Sequence, residues 1–295
     1  MTFCWFGLRF GRSRSALDAG SFTQKVDMQK IKSINILAVA ALIIGESGCT
    51  AAPMDKSSFV IHSSGSKVKY DGKITLKGAS DLKKLLLQSK IDTLIISSAG
   101  GDARAALVIG KMVRDLHLNV VVERYCISAC AQYVFVAAHE KKLKNDAVLI
   151  FHNSPAAIQT VLRNSPLSRG ARAFSDEALE ERQFYRSLGI HLDLATLSSV
   201  LIPVCVAEMP DHALDDPFRY GVAWRFPGFV PTREQLESVG INNIEGSFPT
   251  AATLPARLKQ VGFRPNYKPI FAPPIPFGHM PSWTKSVPLC PSNDR

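Results

Sequence analysis

The sequence predicts an α/β protein with a mainly parallel sheet, and three observations carry that prediction. Short continuous apolar runs recur at Leu94-Ile95-Ile96, Val120-Val121-Val122 and Val148 to Phe151, which is how strands buried on both faces read. Stretches with helical spacing lie between them: Ala106, Ile109, Val113 and Leu116 line one side of a helix, and Ala129 to Ala138 reads as another. With 295 residues, 46% hydrophobic and 20% charged, the chain can bury a sizeable core in one or two domains and is not intrinsically disordered. Strands and helices alternating at this pace are joined by crossovers, so the strands run mostly parallel and the helices cover the sheet.

Taken in order, the first apolar run, Ile36 to Ile44, is short, follows Lys30 and Lys32, and closes on Gly45, Ser47 and Gly48 before Cys49. That is the layout of a secretory signal. Its charged leader begins naturally at Met28, so residues 1–27 read as an over-called start and 28–49 as the signal. Ser47-Gly48-Cys49 resembles the end of a bacterial lipoprotein signal, in which the cysteine takes the lipid. Glu46 stands where an aliphatic residue is expected, so plain secretion and an uncleaved anchor remain open. No stretch reaches about 18 uninterrupted apolar residues, which argues against a polytopic membrane protein. The expected location is exported, periplasmic or membrane-anchored through lipid on Cys49.

The main domain is expected over 58–248. Phe59 to His62 and Val68 to Leu76 read as strands, with a hairpin around Asp71-Gly72. Ser80 is placed to cap a helix that carries Leu82, Leu85 and Leu86 on one face. Ser175, followed by Asp176 and Glu177, starts a longer charged helix that should stop at Gly189. Beyond Pro249 eight of the 18 prolines fall between Pro265 and Pro291, so 249–295 is expected to be an extended, polyproline-like tail.

Charge and cysteines narrow the function classes. The net charge is +10, and without residues 1–48 it is still +7. This favours acidic peptides or an anionic envelope. No basic cluster alternates with aromatics, so nucleic acid is not expected as a partner. Cys126, Cys130, Cys205 and Cys290 remain in the exported part, where two disulfides could form, with a pairing the sequence does not reveal. A lone Cys-x₃-Cys offers two ligands and a zinc site needs four, so no metal is expected. No Gly-x₄-Gly-Lys-Ser/Thr loop is present, and no cofactor is implied.

Three segments carry the chemistry, each following a strand: Ser98-Ala99-Gly100-Gly101-Asp102, Cys126-Ile127-Ser128-Ala129-Cys130 and Phe151-His152-Asn153. In a parallel sheet the carboxyl ends of strands share one edge, so these segments can converge. A serine hydroxyl needs a base to take its proton as it attacks, and an imidazole can do so at neutral pH. Ser128 and His152 are candidates for that pair. Gly101 and Ala129 are placed to supply the backbone N–H donors that a developing oxyanion needs. Cys126 or Cys130 could in principle replace Ser128 as nucleophile. Asp102 reads as a helix cap, His139 as a surface residue, and His191 with Asp193 as an ordinary loop.

The glycine pair, the serine on a strand-to-helix turn and the histidine 24 residues later resemble the ClpP/crotonase superfamily, in particular its exported, ClpP-like serine hydrolases. The likeness covers Val60 to Gly240 and is clearest from Leu94 to Ser154. Ser98-Ala99-Gly100-Gly101 resembles the Ser-Pro-Gly-Gly oxyanion loop of the Clp peptidase, and Ser128-Ala129 its nucleophile and the residue after it. The resemblance implies a ββα spiral core, hydrolysis of peptide bonds without a metal, peptide or protein substrates and ring-like homo-oligomers. It makes the helix Ser175 to Leu188 similar to a projecting handle through which rings meet. It also implies an aspartate ahead of Pro231 to Gly240, where this sequence has Gly228. Asp211, Asp215 and Asp216 lie upstream as alternatives. A Ser-His dyad, a backbone carbonyl as orienter, and a catalytically impaired binding or scaffold protein of the envelope stay open beside them. Acyl-thioester chemistry of the crotonase type is a weaker reading, because no adenine-nucleotide pocket is evident.

Overall fold

The computed structural model describes residues 4–5, 59–208, 220–272 and 286–290. Met28, Cys49, Asp211, Asp215 and Asp216, and with them the signal and lipid-site expectations, lie outside the described residues. After the two-residue strand β1 (Cys4–Trp5), the main body opens with the antiparallel hairpin β2 (Phe59–Ser64) and β3 (Lys67–Gly72). Its turn falls at Gly65, with φ 59°, and not at Asp71-Gly72. The helix α1 (Leu76–Gln88) is capped by Thr75, whose Oγ1 accepts from the Gly78 amide at 3.0 Å. Ser80 lies inside the helix, because the extended Thr75, five residues earlier, already meets the free amides of the first turn.

The chain continues through β4 (Thr93–Ser98), α2 (Ala103–Asp115), β5 (Asn119–Ile127), a π-helical turn Cys130–Phe135, β6 (Lys141–Leu143) and β7 (Val148–Ile150). Then follow α3 (Pro155–Arg163), α4 (Ser175–Ser187), α5 (Leu197–Leu201), β8 (Val204–Glu208), β9 (Tyr220–Trp224) and β10 (Phe229–Val230). The last elements are α6 (Arg233–Glu237), β11 (Ile244–Glu245), α7 (Leu254–Gln260) and β12 (Ile270–Phe271).

The central sheet has the order β11-β6-β5-β4-β3-β2, with β7 on β5. Every pairing in it is parallel except the β2–β3 hairpin. The fold is therefore mixed α/β with a mostly parallel sheet, as the alternating apolar runs predict. β5 serves two neighbours: Val120 to Val122 pair with β6, whereas Tyr125 to Ile127 pair with β7. Its second half thus leaves the first sheet and carries the chain to Ser128. The apolar runs are covered unequally: Leu94 and Ile96 are fully buried while Ile95 is half-exposed, so β4 has one dry face there, whereas Val148, Leu149 and Ile150 of β7 are all buried.

Two further expectations change. α4 does not project; Ala178, Phe184 and Tyr185 bury one face, and Arg104–Glu177 at 2.5 Å and Lys111–Glu180 at 2.7 Å tie it to α2. Beyond Pro249 the chain is not simply extended. Leu254, Leu258 and Phe263 form a second core with Tyr125, Ile127, Val148, Ile150 and Val230, and β12 runs parallel to β10. The prolines flank these pieces, and it is the apolar residues between them that dock. Val287 is buried, and Cys290 is bonded to Cys205 on β8. In the smaller antiparallel sheet, β9 lies between β1 and β8.

Candidate active site

The three segments singled out in the sequence meet at the carboxyl ends of β4, β5 and β7. Ile127 is the register partner of Ile150, and the Ser128 amide donates to the Ile150 carbonyl at 3.0 Å. Ser128 is thus one residue past its strand pair and His152 two residues past the same pair, on strands about 4.8 Å apart. The turn after Ser128 is tied to the histidine segment by Gln132, whose Nε2 donates to the carbonyls of His152 at 2.6 Å and Asn153 at 3.2 Å.

Ser128 has φ 60°, a left-handed conformation that a non-glycine residue keeps only where its surroundings impose it, and such residues cluster at functional sites. Its carbonyl accepts from the Gln132 amide at 2.9 Å as the helical turn begins. Cys126 and Cys130 form a disulfide across this turn, and Cys205 pairs with Cys290. Neither half of Cys-x₃-Cys is therefore a free thiol, which removes both as nucleophiles in the oxidised protein.

The glycine pair is pinned from the other side. The Ile74 amide donates to the Gly100 carbonyl at 2.9 Å, and the Asp102 amide to the Ile74 carbonyl at 3.0 Å. In this parallel bridge the N–H of the intervening Gly101 points away from Ile74, toward the β5 side where Ser128 lies. Both glycines are required by space as well as by φ, which is 89° at Gly100 and 146° at Gly101. A Cβ at Gly101 would lie 2.2 Å from the Ile74 carbonyl oxygen. One at Gly100 would lie 2.7 Å from the Ser128 Cβ and 3.0 Å from the Ala129 nitrogen, so the Gly100 backbone rests directly on the serine turn. Asp102 caps α2, accepting from the Ala105 amide at 2.8 Å, which is the role its position suggests.

The neighbourhood of His152 explains the missing carboxylate. Gly228 packs against the histidine segment: a Cβ there would lie 3.4 Å from the His152 Cβ but only 2.6 Å from the Phe151 carbonyl oxygen. Phe151 and Phe229 exchange backbone hydrogen bonds of 3.0 and 2.8 Å beside it. Gly228 thus lies beside the histidine segment, and the position has no room for a side chain. Sequence reasoning passed over Asn153 as an orienter. Its buried side chain meets the imidazole, Asn153 Oδ1 against His152 Nδ1. An Asn next to a candidate base is a visible signal, but only the backbone course shows that the two side chains turn toward each other. With the proton on Nδ1 donated to Oδ1, Nε2 carries the ring's acceptor lone pair. Burial pushes His152 down to about 4, against the pull of the Asn153 hydrogen bond, so the ring is neutral at pH 7.

A second buried polar group lies behind the site. The Glu181 carboxyl on α4 accepts from the Ala156 amide at 2.9 Å and from the Tyr133 hydroxyl at 3.2 Å. It joins α4 to the first turn of α3 and to the π-helical turn that follows Ser128. Burial raises it to about 7. Among the described residues no group of three or more His, Cys, Asp or Glu could hold a metal ion, and no helix is long and apolar enough to cross a membrane.

No protein-family model matches the sequence, and no curated protein matches it. Among solved structures, the chain is similar to a point variant of ClpP1 from Listeria monocytogenes, with 21% identity, 42% of this chain and 76% of that one covered, and a TM-score of 0.29. A variant of the membrane-bound stomatin-specific protease 1510-N is similar at 14% identity, with 40% of this chain and 68% of that one covered and a TM-score of 0.26. A methylmalonyl CoA decarboxylase is similar at 9% identity, with 46% and 66% covered and a TM-score of 0.27. The mixed α/β class stands on the strand order itself, and the chemistry of the site on its own residues.

Proposed function

We propose that this protein is a ClpP-like serine hydrolase acting on peptide bonds outside the cytoplasm. The observation that carries the proposal is the left-handed Ser128 at the end of β5, beside the His152 strand end and against the Gly100-Gly101 backbone. In this reading the Ser128 Oγ attacks the carbonyl carbon while His152 Nε2 takes its proton. The negative oxygen of the tetrahedral intermediate accepts from the amides of Gly101 and Ala129. The C–N bond breaks as the imidazolium returns the proton to the departing amine. Water, deprotonated by the same imidazole, then hydrolyses the acyl-serine ester. A neutral ring at pH 7 is the form that can accept a proton, and its low basicity makes the fixed amides the larger source of rate.

Covalent chemistry supports the proposed compartment. Two disulfides that pair all the cysteines of the described main body suit an oxidising space and not a reducing cytosol. Export, through the signal at 28–49 with lipid on Cys49 as the anchor, is part of the proposal, as are a homo-oligomeric assembly and peptide or protein substrates. Gly228 favours a second reading, a binding or scaffold protein on the same frame, because no carboxylate can stand there. Labelling with a fluorophosphonate separates the two. The hydrolase reading expects covalent labelling of the wild type, none of Ser128→Ala and slow labelling of His152→Ala; equal labelling of Ser128→Ala removes Ser128 from the mechanism.

A further inference from the structure

We propose that the Cys126–Cys130 disulfide is a positioning clamp for Ser128, so that the hydrolase works only when this bond is oxidised; the inference rests on Ser128 being the nucleophile. The two cysteines are four residues apart with Ser128 midway, and their Cα atoms are 5.3 Å apart. Cys126 is anchored on its strand, paired with Ser98 of β4 and Leu149 of β7. Cys130 is the first residue of the π-helical turn, and both are fully buried. The bond therefore ties a paired strand position, one residue before the end of β5, to the first residue of the π-helical turn, across a stretch that holds an unfavourable backbone.

An L-residue in the left-handed region persists only when its surroundings over-determine it. Ser128 has its amide held by Ile150 and its carbonyl by Gln132, but each is a single hydrogen bond. The disulfide adds a covalent limit on how far the ends of the turn can part. If the turn relaxed to an ordinary negative φ, the Ser128 Cβ and the Ala129 amide would swing together, because both lie on the Cα side of the Ser128 N–Cα bond. Both now rest against Gly100, at 2.7 and 3.0 Å from its Cβ position. One bond thus fixes the nucleophile and one oxyanion donor together. The Cys205–Cys290 bond, which joins β8 to the C-terminal segment, touches none of these residues and is the internal control.

The step is a two-electron reduction. Dithiothreitol supplies two electrons and two protons, becomes its cyclic disulfide, and leaves Cys126 and Cys130 as thiols. The test measures the saturating rate of fluorophosphonate labelling in wild type, Cys126→Ala/Cys130→Ala, Cys205→Ala/Cys290→Ala and Ser128→Ala. Reduction is verified by alkylation and mass, and the fold by circular dichroism. The expected result is a fall of about 100-fold on reducing Cys205→Ala/Cys290→Ala, the cost of misplacing a reacting atom by about 1 Å, with probe affinity nearly unchanged and recovery on reoxidation. The Cys126→Ala/Cys130→Ala protein should be equally slow and indifferent to reductant. If that double variant does not fold, reduction and reoxidation of Cys205→Ala/Cys290→Ala decide alone. Unchanged labelling after verified reduction, with Ser128→Ala silent, overturns the clamp and spares the hydrolase. Labelling of Ser128→Ala at the wild-type rate overturns the hydrolase first.

Discussion

Replacing Gly228 by aspartate should not repair a triad; it should damage the fold. The position is buried, has φ 154°, and a Cβ placed on it lies 2.6 Å from both the Phe151 carbonyl oxygen and the Ile150 Cγ2. A side chain in this backbone region costs about 1–3 kcal/mol. Relieving the contact means displacing Phe151, which breaks its two backbone hydrogen bonds to Phe229 at about 1 kcal/mol each. Gly228→Ala should therefore lose about 3–5 kcal/mol, and Gly228→Asp more, since the carboxylate is buried beside a neutral imidazole. Against a typical total of about 5–15 kcal/mol this is a large share. Urea denaturation followed by the fluorescence of the buried Trp224 measures it directly. A Gly228→Asp protein within about 0.5 kcal/mol of wild type that also reacts faster with fluorophosphonate would refute the steric reasoning.

Further outcomes follow from the same structure. Because His152 must be neutral to act and is held down at about 4 by burial, the labelling rate should rise as pH climbs through about 4 and stay level to pH 8; a rise centred on the ordinary histidine value would contradict the burial. In chain-entropy terms the Cys205–Cys290 bond, with a sequence separation of 85, should contribute about 4.6 kcal/mol to stability. The Cys126–Cys130 bond, with a separation of 4, should contribute only about 2 kcal/mol. Comparing the urea midpoints of the two double-alanine variants tests that ranking. Glu181 is raised to about 7 in the folded protein, so the native state keeps its proton where the unfolded chain has lost it. That stability is fully present below pH 4.5 and lost as pH rises through about 7, roughly 3 kcal/mol in all. The stability difference between wild type and Glu181→Gln should show this slope, and a difference independent of pH would remove Glu181 as its source.

What the sequence made legible is the part governed by local periodicity. The runs at Leu94, Val120 and Val148 mark the three strands, and their order alone is enough to place Gly101, Ser128 and His152 at one sheet edge. The errors fall where tertiary contacts decide. Thr75 outranks Ser80 as a cap because the chain leaving Gly72 is already extended. α4 lies flat because Phe184 and Tyr185 find a core to enter. The chain beyond Pro249 docks because Leu254, Leu258 and Phe263 cover the outer face of β7, a surface that exists only once β5 has split between two neighbours. The disulfide pairing and the closeness of Asn153 to the imidazole depend on how a few residues turn at strand ends, and no spacing in the chain records that.

Mapping the fluorophosphonate adduct by mass spectrometry tests the central claim most directly. The modification should fall on Ser128, within the tryptic peptide Tyr125–Lys141, in protein that has both disulfides intact. An adduct on any other residue, or none on folded and oxidised protein, would contradict the assignment of Ser128 as the nucleophile.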